Sequence, residues 1–115
     1  MCIRDSFHNA SKYPENINLI ETGLFHRFDA TNILKDNLAS IVTSIGLDHL
    51  DWLPENEQTT KKIIFEKTST LVNSNIIIAK QSSSEIVDEI KNSILKNTSK
   101  KYFFNDTATT EIYTE

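Results

Sequence analysis

The chain contains few of the residues that define disulfide-rich, nucleotide-binding or membrane-spanning proteins. Its 115 residues include one cysteine, two glycines and two prolines. A single cysteine, Cys2, excludes an internal disulfide framework and a metal site built from several thiolates. Because glycine occurs only at Gly23 and Gly46, no phosphate-binding loop of the form GxxxxGK(S/T) is present. No apolar run approaches membrane-spanning length, so we expect no membrane partner.

The net charge and the chain length exclude further classes of protein. The formal net charge is −4, and 24% of the residues are charged against 38% hydrophobic, which is ordinary for a globular domain. The length allows one domain with a modest core. Without a basic surplus we expect no nucleic-acid partner. The absence of an apolar signal segment and of paired cysteines favours a cytoplasmic protein.

Both ends of the chain have a composition that back-translation explains better than folding does. MCIRDS, residues 1–6, can be encoded by the mosaic end used in transposon-based sequencing libraries, and NDTATTEIYT near the other end by a flow-cell adapter. We therefore predict an adapter-derived leader at 1–6, a biological segment at 7–102 and an adapter-derived tail at 103–115. Phe7–Asn16, with Pro14, is typical of a loop or of a frayed helix end.

Three short apolar runs predict β-strands: Asn18–Glu21, Ser40–Ile45 and Asn75–Lys80. The first two end in polar groups. If they are parallel neighbours, Glu21 and His49 leave the sheet at the same edge, where open α/β sheets bind ligands. A carboxylate and an imidazole could then share one cation.

Two segments predict helices between and after these strands. Glu57–Leu71 shows helical spacing, and Ser82–Glu85 has the capping-box pattern that opens a second helix ending near Asn97. Strand and helix alternate at a spacing typical of βαβ units, so the fold class is α/β with a parallel sheet. The apolar stripe of the second helix comprises Ile86, Ile90 and Ile94, widened by Val87 and Leu95.

Three motifs, in order, resemble one enzyme family. ETGLFHRFDATN at Glu21–Asn32 resembles the ETGLGGRLDATN segment of folylpolyglutamate synthase/dihydrofolate synthase, a branch of the Mur ligase superfamily. TSIGLDH at Thr43–His49, extended by DHLDWL at Asp48–Leu53, is similar to the next motif, and FEKTS at Phe65–Ser69 resembles the EKAG block. The resemblance implies part of a P-loop NTPase-like central domain, with the phosphate loop and the C-terminal ligase domain missing.

The chain departs from the family pattern at several positions. Phe25 and His26 replace paired glycines, so the backbone there is less free. Pro54 replaces a glycine, and Thr68-Ser69 replaces Ala-Gly. The spacing from His49 to Lys67 is also longer than is usual. These differences indicate a divergent subgroup.

The resemblance implies an ATP-dependent carboxylate–amine ligase that uses ATP and Mg²⁺. A carboxylate of dihydropteroate or folate is phosphorylated to an acyl phosphate, and the amine of L-glutamate displaces phosphate. Mg²⁺ neutralises charge on the phosphoryl oxygens. The parent enzyme is expected to be monomeric, and this chain alone is expected to be inactive.

The resemblance also assigns the site residues. Glu21, His49 and Lys67 are implied as metal ligands, the last as an N6-carboxylysine that forms from a neutral amine. The residue types alone also allow structural roles. Glu21 could be an exposed or helix-capping acid, His49 a hydrogen-bonding loop residue, and Lys67 a solvated helix lysine like Lys61 and Lys62.

Phe28, Asp29 and Ala30 match the turn that contacts the pteroate group. Asp29 has an equal alternative, since Asp29–Asn32 could cap a short helical turn. Arg27 either orients an anion or pairs with a nearby acid. Trp52 lines the pteroate pocket or is a core aromatic, the commoner outcome.

Two other functions remain open at this point. One is a different Mur-type amide ligase, such as one acting on a cell-wall precursor. The other is a chimeric reading frame without any function, which the two ends of the chain would explain.

Overall fold

The computed structural model describes residues 3–34, 36–71, 75–95, 102–106 and 109–113. Three α-helices and four β-strands lie within these ranges. In chain order they are α1 (Ile3–Ala10), β1 (Ala39–Val42), α2 (Thr60–Thr68), β2 (Asn75–Ile78), α3 (Ser84–Leu95), β3 (Tyr102–Asp106) and β4 (Thr109–Tyr113).

The strands form one sheet in the order β1-β2-β3-β4. β1 and β2 are parallel, with Ala39 opposite Asn75, and β2 and β3 are also parallel. β4 returns antiparallel to β3. Helix α2 connects β1 to β2 and α3 connects β2 to β3, so the predicted βαβ arrangement and the α/β fold class are confirmed.

Isoleucine side chains build most of the core. Those of highest burial come in pairs, one pair from each of α2, β2 and α3, and they are Ile63, Ile64, Ile76, Ile78, Ile90 and Ile94. β2 is therefore shielded by the helices, as expected for the inner strand of a parallel sheet. Of the predicted stripe on α3, Ile90 and Ile94 are fully buried and Ile86 is half-buried.

Helix α2 is shorter than the predicted Glu57–Leu71. Thr59 caps its start, because the Thr59 side chain accepts a hydrogen bond from the Lys62 amide at 3.2 Å. Residues Glu55–Glu57 form a separate 3-10 turn. At the other end, the buried Thr68 hydroxyl bonds to the Ile64 carbonyl and to the Ser93 hydroxyl of α3.

Helix α3 begins one residue later than the capping-box prediction implies. The Ile86 amide donates to the Ser83 hydroxyl at 3.4 Å, so Ser83 is the cap where Ser82 was expected. The predicted helix end near Asn97 lies outside the described residues.

β1 and β2 are both shorter than predicted, and the side chain of Gln81 explains how the chain continues beyond them. The Ile45 amide donates a hydrogen bond to the carboxamide oxygen of Gln81 at 2.9 Å. Its carboxamide nitrogen donates to the carbonyls of Thr43 and Ala79. A buried side chain thus replaces the backbone ladder beyond Val42 and aligns the loop that carries the Gly46–His49 motif.

The predicted strand Asn18–Glu21 is wrong. The segment is irregular and exposed, with Leu19 92% accessible. Asn18, Leu19 and Ile20 line a cavity of 210 Å³ together with Ala39, Ser40 and Ile41 of β1, and the described sheet pairs β1 with β2 alone. A short apolar run becomes a strand only where a partner strand takes up its backbone hydrogen bonds. Glu21 and His49 therefore do not leave neighbouring strands, as the sequence argument had assumed.

The ends of the chain contribute regular structure. α1 includes residues from the predicted leader, and β3 and β4 cover most of the predicted tail. The adapter origin of both ends concerns the DNA and stays a prediction. None of the described helices is both long and apolar enough to span a lipid bilayer.

Candidate active site

Asp48 is the centre of the candidate site. One of its carboxylate oxygens accepts a hydrogen bond from the Lys67 ammonium at 3.0 Å and lies 3.4 Å from Nδ1 of His49. Two of the three predicted metal ligands, which are 18 positions apart in the sequence, therefore meet at one carboxylate. The loop after β1 supplies Asp48 and His49, and α2 supplies Lys67.

The charged neighbours of Asp48 lower the pKa of its carboxyl group. Partial burial alone would raise the pKa of the Asp48 carboxyl, but the hydrogen bond and charge of Lys67, and then the nearby His49, outweigh burial. The pKa of Asp48 is therefore held below its ordinary value, and the group is a carboxylate at neutral pH.

His49 has an unusual backbone. Its φ of 55° and ψ of 28° lie in the left-handed region, and no other non-glycine residue in the described part of the chain has a positive φ. This conformation costs energy for a residue with a Cβ, although histidine tolerates it better than most. Strain of this kind is common where a side chain must be aimed at a site.

Glu21 does not join this group. Its side chain is exposed and forms no hydrogen bond or ion pair with any described residue. Within the described ranges, no three histidine, cysteine, aspartate or glutamate side chains lie together as a ready metal site. Asp48 and His49 are adjacent donors, and modification of Lys67 would add an anionic donor next to them.

The predicted pteroate-contacting residues lie in a tight turn. His26–Phe28 and Ala30–Ile33 are consecutive 3-10 turns, and Asp29 between them caps the second. The Asp29 carboxylate accepts hydrogen bonds from the Thr31 amide at 2.8 Å and from the Gly23 amide at 3.2 Å. The capping role predicted for Asp29 is confirmed. Phe28 is 80% exposed and Ala30 is also exposed, so both are accessible to a ligand.

Gly23 packs closely against Asp29 in this turn. A Cβ placed on it would lie 3.0 Å from Oδ1 of Asp29, the oxygen that the Gly23 amide contacts. The Asp29 carboxylate would have to shift by a few tenths of an ångström to make room for it. The glycine in ETG thus lets the backbone approach Asp29 closely.

Asp29 should make the stability of the chain pH-dependent. Burial would raise its pKa, but hydrogen bonds from Thr31 and then Gly23 outweigh burial and lower it. The stabilisation is therefore complete above the unfolded pKa of about 3.9 and is lost as the pH falls through the lower folded pKa. Asp29→Asn should cost about 1 kcal/mol of unfolding free energy at pH 7, because one of the two accepting oxygens becomes an NH₂ group and the bond to Gly23 or to Thr31 is lost.

Urea unfolding of wild type and Asp29→Asn at neutral pH and near pH 3 measures this effect. The difference between the two proteins should shrink on acidification, because the wild-type carboxylate becomes protonated. A difference that stays constant with pH would contradict the assignment.

Glu21 and Asp29 line the same cavity. Its volume is 380 Å³, within the usual range of small-molecule sites, and Phe7 of α1, Gly23 and Thr31 also contribute to its wall. The predicted metal ligand Glu21 is thus close to the predicted substrate turn, whereas His49 and Lys67 belong to the Asp48 group.

Arg27 pairs with an acid, one of the two roles predicted for it. Its guanidinium donates to Oε1 of Glu66 at 3.0 Å and lies over the rings of Phe28 and Phe65. Glu66 is 95% buried as a side chain, and the same oxygen also receives the Lys62 ammonium at 3.3 Å. Trp52 is 71% exposed, so the prediction of a core aromatic is wrong.

The sequence argument missed three contributors to the site: Asp48, Glu66 and Gln81. The first two stand next to assigned residues within the matched motifs, so a systematic look at their charged neighbours could have found them. Gln81 follows a strand with no special pattern, and only the three-dimensional structure reveals its role.

Known proteins of similar sequence are described as dihydrofolate synthase/folylpolyglutamate synthase or as probable folylpolyglutamate synthase. The dihydrofolate synthase/folylpolyglutamate synthase of Buchnera aphidicola subsp. Schizaphis graminum is 34% identical over 101 residues, covering 84% of this chain and 23% of the relative. The Escherichia coli (strain K12) protein of that description is 55% identical over 40 residues, covering 34% and 9%. The probable folylpolyglutamate synthase of Schizosaccharomyces pombe is 32% identical over 90 residues, covering 76% and 17%. No protein-family model matches the chain.

Among solved structures, a chain described as an FPGS-AMPPCP complex has a similar fold. The TM-score is 0.58 at 14% identity, and the match covers 88% of this chain and 30% of that one. The chain thus spans less than a quarter of the length of these curated relatives. The sequence relatives and the shared fold together support assignment of this chain to a segment of the folylpolyglutamate synthase/dihydrofolate synthase type.

Proposed function

We propose that the chain is the part of an ATP-dependent carboxylate–amine ligase that supplies metal- and pteroate-contacting residues. The parent enzyme transfers the γ-phosphoryl group of ATP to a carboxylate of dihydropteroate or folate. The amine of L-glutamate then attacks the acyl carbon, and phosphate leaves. The parent acts as a monomer in the cytoplasm, and this chain alone lacks the activity.

The convergence of Lys67 and His49, two of the predicted metal ligands, on Asp48 is the observation that carries the proposal. Carbon dioxide adds to a neutral lysine amine to form a carbamate, which carries a negative charge and two oxygen donors. At Lys67 this change would turn an ion pair of 3.0 Å into two adjacent anions. A divalent cation relieves that repulsion, and oxygen ligands suit Mg²⁺. The donor set thus fits Mg²⁺ once Lys67 is modified.

In this proposal, carbamylated Lys67 and His49 would hold Mg²⁺ next to Asp48, and Glu21 would hold Mg²⁺ from the cavity that it shares with Asp29. In the unmodified chain, Asp48 contacts both Lys67 and His49. Bound Mg²⁺ supplies charge neutralisation at the phosphoryl oxygens. Phe28, Asp29 and Ala30 contact the pteroate group. The exposed faces of Phe28 and Ala30 support that role, as does the ordered carboxylate of Asp29.

A chimeric enzyme tests the function. Residues 18–69 of this chain would replace the matching segment of the Buchnera aphidicola relative, which is similar over 101 residues, and ADP formation would be measured with dihydropteroate, with and without L-glutamate. We expect glutamate-dependent ADP formation. The control carries the same junctions with the relative's own segment. An active control beside an inactive chimera would refute the proposal and favour a different Mur-type ligase or a chimeric reading frame without function.

The proposal assigns the ligase role to residues 7–102 and treats residues 1–6 and 103–115 as adapter-derived. Amplifying the locus from the source sample and sequencing it with a different library chemistry tests that division. We expect that the genomic DNA lacks both adapter-like ends and has other coding sequence at those positions. Persistence of both ends in the genomic DNA would contradict it.

A further inference from the structure

Three consecutive residues, Phe25, His26 and Arg27, each contact a different part of the candidate site. They belong to the turn that precedes Phe28–Ala30, and the first two replace the paired glycines of the family pattern. A glycine pair offers no side chain at these positions. The contacts of Phe25 and His26 are therefore features of this chain.

The Phe25 ring packs against the imidazole ring of His49. The two ring centroids are 6.0 Å apart with an interplanar angle of 77°, an edge-to-face arrangement that aromatic rings favour. Phe25 is buried, whereas His49 is exposed and has the left-handed backbone described above. The buried Phe25 ring therefore packs against one side of the His49 imidazole and limits its orientation.

Arg27 connects the same turn to α2, and His26 connects it to the turn that follows α2. Nδ1 of His26 forms a hydrogen bond of 2.8 Å with the hydroxyl of Thr70, and Arg27 donates to Glu66 at 3.0 Å. Glu66 lies in the last turn of α2, and Thr70 lies in the turn just after the helix ends at Thr68, so the two contacts hold the turn near the C-terminal end of α2. Lys67 lies between them in the sequence.

The Arg27–Glu66 contact is anchored by burial. The second carboxylate oxygen of Glu66, Oε2, is buried and has no hydrogen-bond partner among the described residues. A buried carboxylate without its cationic partners is costly, so Arg27 and Lys62 are needed to keep Glu66 in place. Separation of Arg27 from Glu66 would leave a buried carboxylate with one cationic partner fewer, so the ion pair keeps the turn in contact with α2.

We propose that Phe25, His26 and Arg27 form a three-point clamp that positions the Phe28–Ala30 turn against His49 and against the helix that carries Lys67. The three are positioning residues, because they act on residues of the site. The inference rests on the proposed function only for the substrate role of the turn. The clamp itself can be measured without ATP, metal or substrate.

Amide hydrogen exchange of the full chain, followed by NMR, tests the clamp. The amides of Gly23 and Thr31 report on the turn because both donate to Asp29, and the Ala79 amide, which donates to Val42, reports on the sheet. In His26→Ala and Arg27→Gln, exchange at Gly23 and Thr31 should accelerate roughly ten- to a hundredfold, the range implied by loss of such hydrogen bonds. Exchange at Ala79 should not change.

Matched variants separate positioning from general stability. His26→Asn can keep a hydrogen bond to Thr70 and should restore slow exchange, whereas Thr70→Val removes the partner without a change of shape and should mimic His26→Ala. Lys61→Ala breaks an ion pair between α2 and Glu89 that does not touch the turn, and it should have no effect. In Phe25→Leu, the proton shifts of the His49 ring should move, because the neighbouring aromatic ring is gone.

Unchanged exchange at Gly23 and Thr31 in His26→Ala, Arg27→Gln and Thr70→Val would overturn the clamp. So would acceleration of all three amides by the same factor, which indicates global destabilisation. If the chimeric enzyme is inactive but the local exchange effect is present, the function fails and the clamp stands. An active chimera with no local effect gives the reverse conclusion.

Discussion

Lys67→Arg in the chimeric enzyme should lower glutamate-dependent ADP formation by about a hundredfold or more, the scale of losing metal-assisted charge stabilisation. Arginine keeps the positive charge and can still pair with Asp48. A guanidinium stays protonated in proteins, however, and cannot take up carbon dioxide as a neutral amine can. The substitution thus removes the carbamate while it keeps the positive charge that faces Asp48 in the unmodified chain.

Lys61→Arg is the matched control for this prediction. Lys61 lies on the same helix, its side chain is exposed, and its partner is Glu89 of α3 at 3.6 Å. The control should keep full activity. ¹³C NMR of the isolated chain in labelled bicarbonate provides a second readout: one carbamate signal in wild type and Lys61→Arg, and none in Lys67→Arg. Full activity of Lys67→Arg would rule out carbamylation as the source of the metal ligand.

Ile90→Ala should lower the unfolding free energy by about 2 to 5 kcal/mol. Ile90 has no accessible surface, and it belongs to the core cluster that also contains the buried isoleucines of α2 and β2. Truncation loses the transfer free energy of the buried carbons and leaves a cavity. Small domains have total stabilities of only about 5 to 15 kcal/mol, so the loss is a large share of the whole.

Urea unfolding measures this loss, with the midpoint falling and the slope unchanged. Asn92→Ala, an exposed position on the same helix, should stay within about 0.5 kcal/mol of wild type. A loss of less than about 1 kcal/mol at Ile90 would mean that α3 does not close the core as described.

The alternation of short apolar runs with helical segments was enough to predict the βαβ architecture. Burial of β2 and the apolar face of α3 followed from the same pattern, because a parallel sheet must be covered by helices. Helix ends were less predictable. Thr59 and Ser83 became the caps, and several serines and threonines nearby have the same local chemistry, so the choice depends on where packing begins.

The strand predicted at Asn18–Glu21 shows the limit of local patterns. Its sequence resembles that of β2, yet no partner strand accepts its backbone bonds, and Leu19 stays exposed. A strand is defined by its neighbour as much as by its own residues. Pairing is a property of the tertiary structure, which periodicity along one segment does not contain.

The sequence by itself determined the α/β class, the isoleucine core and the motifs that contain the candidate site, since these depend on residue type and spacing. Only the tertiary structure decided which charges meet. It brought Lys67 to Asp48, Arg27 to Glu66 and His26 to Thr70, pairs that are 19 to 44 residues apart in the chain. Electrostatic and hydrogen-bond energies fall steeply with distance, and distances between remote residues exist only once the chain has folded.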